Sequence, residues 1–393
     1  MIKKILALLE GLAPQKMYKV AYFVLPKITQ NIGLDITNPN QKRALICYLD
    51  IKGVNMEHVR HANLLQLNQM IHCFLIRGFC VDVCHYNETK AIEYLSDKKY
   101  NVLIGLGKVY KLMAKRSDIP IKISFVTENN PEVVKVKYQE RYNDFISRHS
   151  KSFTKGNLTR DDIFDVEQFV LSNNLILMSS LYNAESFKKY FDRIWTINAN
   201  AIINNTYLFN DSEIKELIPN TKGRFLWFGS SGFIHKGIDL LLDAFKDLSD
   251  LSIDFYGVNY MEKQLFRRLA PDNSADCGSV DVMTDEFIDK VVKGHCFVIF
   301  PSCSEGMSTA VCTCMAHGII PLLTKESGFD PHPSIIELED WRVDSLKQAI
   351  RKAMAMDDEE ILKMRRLAYE YGQKQFSLNH FNERFGEIID QII

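Results

Sequence analysis

Residues 300–328, FPSCSEGMSTAVCTCMAHGIIPLLTKESG, decide how this chain is read. The stretch opens at the end of an apolar run, Cys296 to Phe300, which Pro301 breaks. A small polar turn follows and carries one carboxylate, Glu305. Then come a series of small residues, Gly318, and a second apolar run, Ile319 to Leu323. Two short apolar runs joined through a helix-length segment read as a strand–helix–strand unit, and continuous apolar strands belong to a parallel sheet covered on both faces. Ser308 or Thr309 is placed to cap the helix. The amides of Met307 to Ala310 would then form an anion site at its N-terminus. A carboxylate beside those amides is odd if the ligand carries phosphate alone. It fits a ligand that also carries hydroxyls, because a carboxylate accepts two hydrogen bonds from a diol.

The same logic recurs upstream. FGSSGFIHKG, residues 228–237, follows the apolar run RFLWF (224–228) and opens the helix IDLLLDAF. Gly229, Gly232 and Gly237 permit tight turns, Ser230 and Ser231 offer hydroxyls and amides, and Lys236 brings a positive charge to a helix N-terminus. The spacing is not that of a P-loop. Ser252 to Tyr256 reads as another strand, ending at Gly257.

The N-terminal half alternates in the same way. Strands are expected over 43–49, 79–84, 101–106, 121–126 and 175–178. Helices are expected over about 63–76 (stopped by Gly78), 109–115, 134–146 and 162–171. That order predicts an α/β protein of two doubly wound, Rossmann-like parallel-sheet domains facing a central cleft. The boundaries are 1–205 and 206–373, with a polar join around 204–221. The tail from about Glu359 reads as helical and bears Phe376, Phe381 and Phe385; it is too long to be a simple cap on the last strand. Residues 2–12 have helical apolar spacing and read as a helix packed on the domain.

The 393 residues carry a formal net charge of −1, so nothing argues for capture of nucleic acid. No apolar run reaches the roughly 18 residues of a membrane-spanning helix. The nine cysteines are scattered, no pair has CxxC spacing, and the reading is a reducing, cytoplasmic setting. His235, His295 and His317 read as structural. Glu326 reads as a cleft or helix-entry acid, and Arg141, Arg148 and His149 as one solvated helix face.

FGSSGFIHKGIDLLLDAF followed by FPSCSEGMSTAVCTCMAHGIIPLL resembles the retaining GT-B glycosyltransferases of the "glycosyl transferases group 1", or family-four, type. The likeness is specific over about 224–330, and YEYGQKQFSLNHFNERF fits that family's C-terminal crossing helix, so the resemblance implies a helix at about 374–393 that packs back on the first domain. The resemblance implies a nucleotide-diphosphate sugar bound by the second domain. Lys236 matches the lysine on the donor diphosphate, and Gly229 the glycine opening its loop. Glu305 matches the acid that contacts the transferred sugar, Met307 to Ala310 (with Ser308 and Thr309) match the helix start under the diphosphate, and Gly306 is a donor-binding residue just ahead of them.

There are departures. The second acid of the family's motif, eight residues on, is Thr313 here. Ser230 and Ser231 replace an arginine. The first-domain glycine loop is replaced by RHANLL, making His61 and Asn63 acceptor-side candidates. The family's first-domain histidine has no clear match, but FVTENN offers Glu128. With Lys236 and Glu305 as the catalytic pair, the expected activity is retaining sugar transfer to a glycan or lipid-linked acceptor in polysaccharide or glycoconjugate assembly. No metal or other cofactor is expected, and peripheral membrane contact is an option. The alternative is a weakly active or inactive nucleotide-sugar binding protein of the same fold. A sugar-nucleotide epimerase would need acid–base residues that the sequence does not offer.

Overall fold

The computed structural model describes residues 26–52, 61–149 and 164–393. The N-terminal helix expected over 2–12 and the first residues of the one expected from 162 lie outside them. The described strands form two sheets, of seven and six strands. The described residues divide into two compact units, one of 26–52, 61–125, 167–174 and 392–393, the other of 126–149, 164–166 and 175–391.

The first unit holds β1 (Ile28–Ile32), β2 (Arg43–Tyr48), β3 (Cys80–His85), β4 (Val102–Gly105) and β5 (Ile121–Val126), in the order β1-β3-β2-β4-β5. β1 runs antiparallel to β3, and β2 pairs parallel with both β3 and β4. Ala44 to Cys47 are wholly buried, as expected of a strand covered on both faces. The helix Ala62–Leu75 packs Leu67, Met70 and Phe74 inward. Gly78, at φ +78°, ends it: its N–H donates to the Leu75 carbonyl and that of Phe79 to Phe74, a Schellman closure.

The second unit contains β6 (Asn174–Leu177) and β7 (Ile194–Thr196), a parallel pair, and a six-stranded parallel sheet. That sheet comprises β8 (Arg224–Phe228), β9 (Ser252–Tyr256), β10 (Ser274–Gly278), β11 (Phe297–Phe300), β12 (Ile320–Leu323) and β13 (Ile336–Glu337), in the order β10-β9-β8-β11-β12-β13. Phe225, Leu226 and Trp227 of β8 and all of β11 are fully buried. Of the expected polar join, 211–221 is helical: the Asn210 side chain accepts the Glu213 N–H and starts the helix Asp211–Thr221. The tail is two helices, Asp358–Gln375 and Leu378–Ile392; Asp357 and Glu360 form a capping box at the start of the first.

The expected solvated face of Pro131–Arg148 is a correction. Arg141 is fully buried and donates to both carboxylate oxygens of Asp239, itself fully buried, at 2.7 and 3.0 Å. Arg148 pairs with Asp239 and Asp243, and His149 lies 2.8 Å from Asp243. Burial and the neighbouring Arg148 push the His149 imidazole down to about 4, so at neutral pH it is an uncharged member of the cluster. The helical spacing of 141, 144 and 148 puts these charges on one face, and only a partner with matching acids reveals that the face is covered.

Candidate functional site

The site lies at the carboxyl ends of β8 and β11, within the second unit. After β8, the Gly229 N–H donates to the Tyr256 carbonyl at 3.1 Å. The Lys236 N–H donates to Gly232 O at 2.7 Å, and the Trp227 indole N–H to Lys236 O at 3.3 Å. Gly237, at φ +74°, closes this turn and lets the helix Ile238–Lys246 begin. A Cβ there would meet Pro301 atoms at 2.5 and 2.7 Å, so the Lys236 loop and the turn after β11 touch through this glycine. Ser230 and Ser231 are exposed and Lys236 is half-buried.

After β11 the chain is held almost residue by residue. Ser302 Oγ and the Cys303 N–H both donate to the His235 carbonyl, at 3.1 and 3.0 Å. The Glu305 N–H donates to Glu326 O at 2.8 Å, and the Asn183 side-chain amide to Glu305 O at 2.9 Å. Ser179 Oγ donates to Gly306 O at 2.6 Å. Ser308 caps the helix Thr309–Ala316 by accepting the Val311 N–H, and Met307 Sδ accepts the Ala199 N–H at 3.2 Å. A Cβ on Gly306 would meet Thr127 O at 2.2 Å and Glu128 N at 2.9 Å, so the FVTENN segment packs directly on this turn. On the far side is Gly328, at φ +85°, where a Cβ would lie 1.4 Å from Gly306 O. Gly328→Ala is therefore expected to destabilise the protein by at least the roughly 1–3 kcal/mol of a strained backbone. It should also pull Gly306 O off Ser179; a thermal unfolding midpoint unchanged within a degree would contradict this.

These turns bring Lys236 and Glu305 together. Lys236 Nζ lies 3.9 Å from Glu305 Oε1 and 5.8 Å from the centre of the Phe300 ring. His235 Nε2 is closer, 3.2 Å from the same oxygen, off the line of an ideal hydrogen bond, while its Nδ1 lies 3.7 Å from Cys303 Sγ. Burial disfavours charge on this ring, but Cys303 and Glu305 outweigh it and raise His235 to about 9. The ring read as structural thus stands against the acid; its place next to Lys236 was the available signal.

Other partners carried no local signal. Glu262 accepts the Gly232 and Phe233 N–H groups on one oxygen, at 2.8 and 3.0 Å, so two amides of the glycine loop are taken by the protein's own carboxylate. Asn129 donates to Asn183 at 2.9 Å, which extends a buried amide chain to Glu305. Glu326 sits 3.7 Å from Lys137, and its carbonyl serves the Glu305 turn. The Thr313 hydroxyl donates to Thr309 O at 2.9 Å and accepts the Ile202 N–H at 3.1 Å. His317 bridges Thr313 O and the Asn204 N–H, and His295 lies against Asp254, both within the packed interior. His61 and Asn63 belong to the first unit, at the start of Ala62–Leu75, where His61 holds the N-cap position without a side-chain cap bond. Among the described residues, no group of three or more His, Cys, Asp or Glu is placed to hold a metal ion. No described helix is long and apolar enough to cross a membrane.

No family model and no curated protein matches the chain. Solved structures do. Sucrose-phosphate synthase from Thermosynechococcus elongatus is similar at a TM-score of 0.62 and 14% identity, over 90% of this chain and 99% of that one. Anabaena HepE in complex with UDP and glucose is similar at 0.57 and 13%, over 89% and 100%. WaaG, a glycosyltransferase involved in lipopolysaccharide biosynthesis, is similar at 0.54 and 13%, over 88% and 99%. With the two doubly wound sheets, this likeness establishes the GT-B fold.

Proposed function

We propose that this protein is a glycosyltransferase that moves a sugar from a nucleotide-diphosphate donor to a glycan or lipid-linked acceptor, with retention at the anomeric carbon. The observation that carries the reading is the meeting of Lys236 and Glu305 across two strand–turn–helix junctions, with a capped helix N-terminus directly behind the acid. The solved complex of HepE with UDP and glucose, on the same fold, supports a nucleotide-sugar ligand. Lys236 and the first-turn amides of Thr309–Ala316 receive the diphosphate with Ser230, Ser231 and Gly229 along the loop, and Glu305 accepts hydroxyls of the transferred sugar.

In the reaction, the bond between the anomeric carbon and the diphosphate oxygen breaks, and negative charge gathers on the leaving group. Lys236 and the helix dipole face that charge before it forms, which is where preorganised groups lower a barrier. The acceptor hydroxyl bonds to the carbon from the leaving-group side, and its proton goes to the departing phosphate. No separate side-chain base enters. Glu128, packed on Gly306, and His61 and Asn63 of the first unit remain the acceptor-side candidates. The role is cytoplasmic, in polysaccharide or glycoconjugate assembly.

One observation favours a second reading, a binder with little activity. Thr313 stands where the family grips the ribose, and its hydroxyl is committed to backbone partners. Thermal unfolding against UDP, GDP, ADP, dTDP and CMP tests the site. A ligand at 100 times its dissociation constant adds about 2.7 kcal/mol, a visible shift. We expect one diphosphate to shift the wild type but not Lys236→Ala. If no nucleotide shifts it, nucleotide-sugar transfer is abandoned. If one shifts it and slow donor hydrolysis is absent, the binder replaces the enzyme.

A further inference from the structure

Two cations, His235 and Lys236, reach one oxygen of Glu305. They are successive residues, and their distances rank them. At 3.2 Å the imidazole is within hydrogen-bond reach of the carboxylate; at 3.9 Å the ammonium is an ion-pair neighbour. Glu305 and His235 are both buried, so each is costly to charge alone and cheaper to charge together. The His235 backbone is also locked to the turn it faces, because its carbonyl takes the Ser302 hydroxyl and the Cys303 N–H. This fixes the main chain from which the ring reaches Glu305. A charged ring needs an acceptor at each nitrogen, and the carboxylate and the Cys303 sulfur stand at Nε2 and Nδ1.

The geometry points to His235 as the dedicated counter-ion of Glu305: it keeps the acid charged and in place, and so leaves the Lys236 charge for the donor diphosphate. His235 is then a positioning residue, acting through Glu305 and Lys236 rather than on the donor itself. This rests on the proposed transferase reading for the diphosphate, but the ion pair stands apart from it. The groups facing the ring are Tyr138 on the helix Pro131–Arg148, with ring centres 6.5 Å apart, then Cys303 and Glu305, and Lys236 beside it. Behind it Arg141 donates to the Ile234 carbonyl and is paired with Asp239. Of these, Cys303 and then Glu305 favour charge on the ring, and Glu305 is the carboxylate in contact with it.

The sign follows from the shift to about 9, above the ordinary 6.5 of histidine. On the histidine limb the contribution to stability is fully present at pH 6.5, while Glu305 is ionised, and is lost as the pH rises through about 9. Diphosphate affinity should follow the same limb, because an uncharged His235 lets Lys236 turn to Glu305.

Two measurements on the full chain test this. The first is a proton–nitrogen NMR titration of the histidine rings, with His235 assigned from the signal missing in His235→Gln. We expect its midpoint near 9 in the wild type, and at least one pH unit lower in Glu305→Gln, a tenfold loss in proton affinity. A midpoint at or below 6.5, or one that Glu305→Gln leaves in place, overturns the counter-ion. The second is affinity for the nucleoside diphosphate found in the thermal panel, from pH 7 to 10. The wild type should weaken across pH 9, whereas His235→Gln should bind about tenfold more weakly at pH 7 and lack that limb. A variant that binds as the wild type does at both pH values overturns the effect on Lys236. If the wild type binds no nucleotide, the transferase reading falls and the ring titration alone decides the ion pair. If His235→Gln does not fold, the pH midpoint in Glu305→Gln against wild type, assigned from the remaining histidines, still decides it.

Discussion

Lys236→Ala is expected to lower the rate of donor cleavage by about 10²–10³, or about 2.7–4 kcal/mol of barrier, the usual effect of removing one preorganised group from a developing anion. Once the nucleotide is identified, release of nucleoside diphosphate from its sugar conjugate measures this without an acceptor. The loss should fall in kcat as well as in kcat/KM, because in the proposed reaction the charge facing Lys236 grows as the glycosidic bond breaks. A rise in KM with kcat unchanged would make Lys236 a uniform binder and remove it from the proposed catalytic pair. The fold should tolerate the change. The ammonium is only partly buried, and the loop it leaves is held by Trp227, Gly232 and Glu262 through the main chain. Lys236→Arg is not a neutral control, since a planar fork replaces a compact charge beside the Phe300 ring.

Arg141→Ala is expected to cost about 3–5 kcal/mol of stability, the penalty for leaving a buried charge without its partner. Asp239 is fully buried and would keep only Arg148, which reaches it from the half-buried end of the helix. The guanidinium also lies 4.8 Å over the Trp341 ring and donates to the Ile234 carbonyl at 3.2 Å, one residue before His235. Its removal should therefore loosen the Lys236 loop as well as the helix Pro131–Arg148. Urea unfolding of the single variant and of Arg141→Met with Asp239→Leu separates the causes. Replacing both charges by apolar groups should recover much of the loss, because the desolvation cost goes with them. A single variant within about 1 kcal/mol of the wild type would mean that water reaches Asp239 and that the cluster is no buried lock.

The sequence by itself determined the parallel sheets and the strand–turn–helix junctions on which the proposed site rests. Both follow from local rules: apolar runs of strand length, a glycine or proline where each ends, a cap residue where each helix starts. Lys236, Glu305 and the Ser308 cap were legible for that reason, since each belongs to a strand–turn–helix junction whose parts are within a few residues of one another. β1, β7, β10 and β13 were not legible. All four lie at sheet edges, where one side is unpaired, so ITQNI, SADCG and IE lack the apolar run that marked their neighbours, and β7 has only three residues. Only the tertiary structure decided the partners. His235 finds Glu305, Glu262 finds the Gly232 amide, Asn183 finds Glu305 and Arg141 finds Asp239 across tens of residues of chain. Residue spacing cannot reveal such pairs. A buried charge or amide is held by whatever the fold places within about 3–3.5 Å of it, and that neighbour is set by how the strands and helices pack, not by its position along the chain.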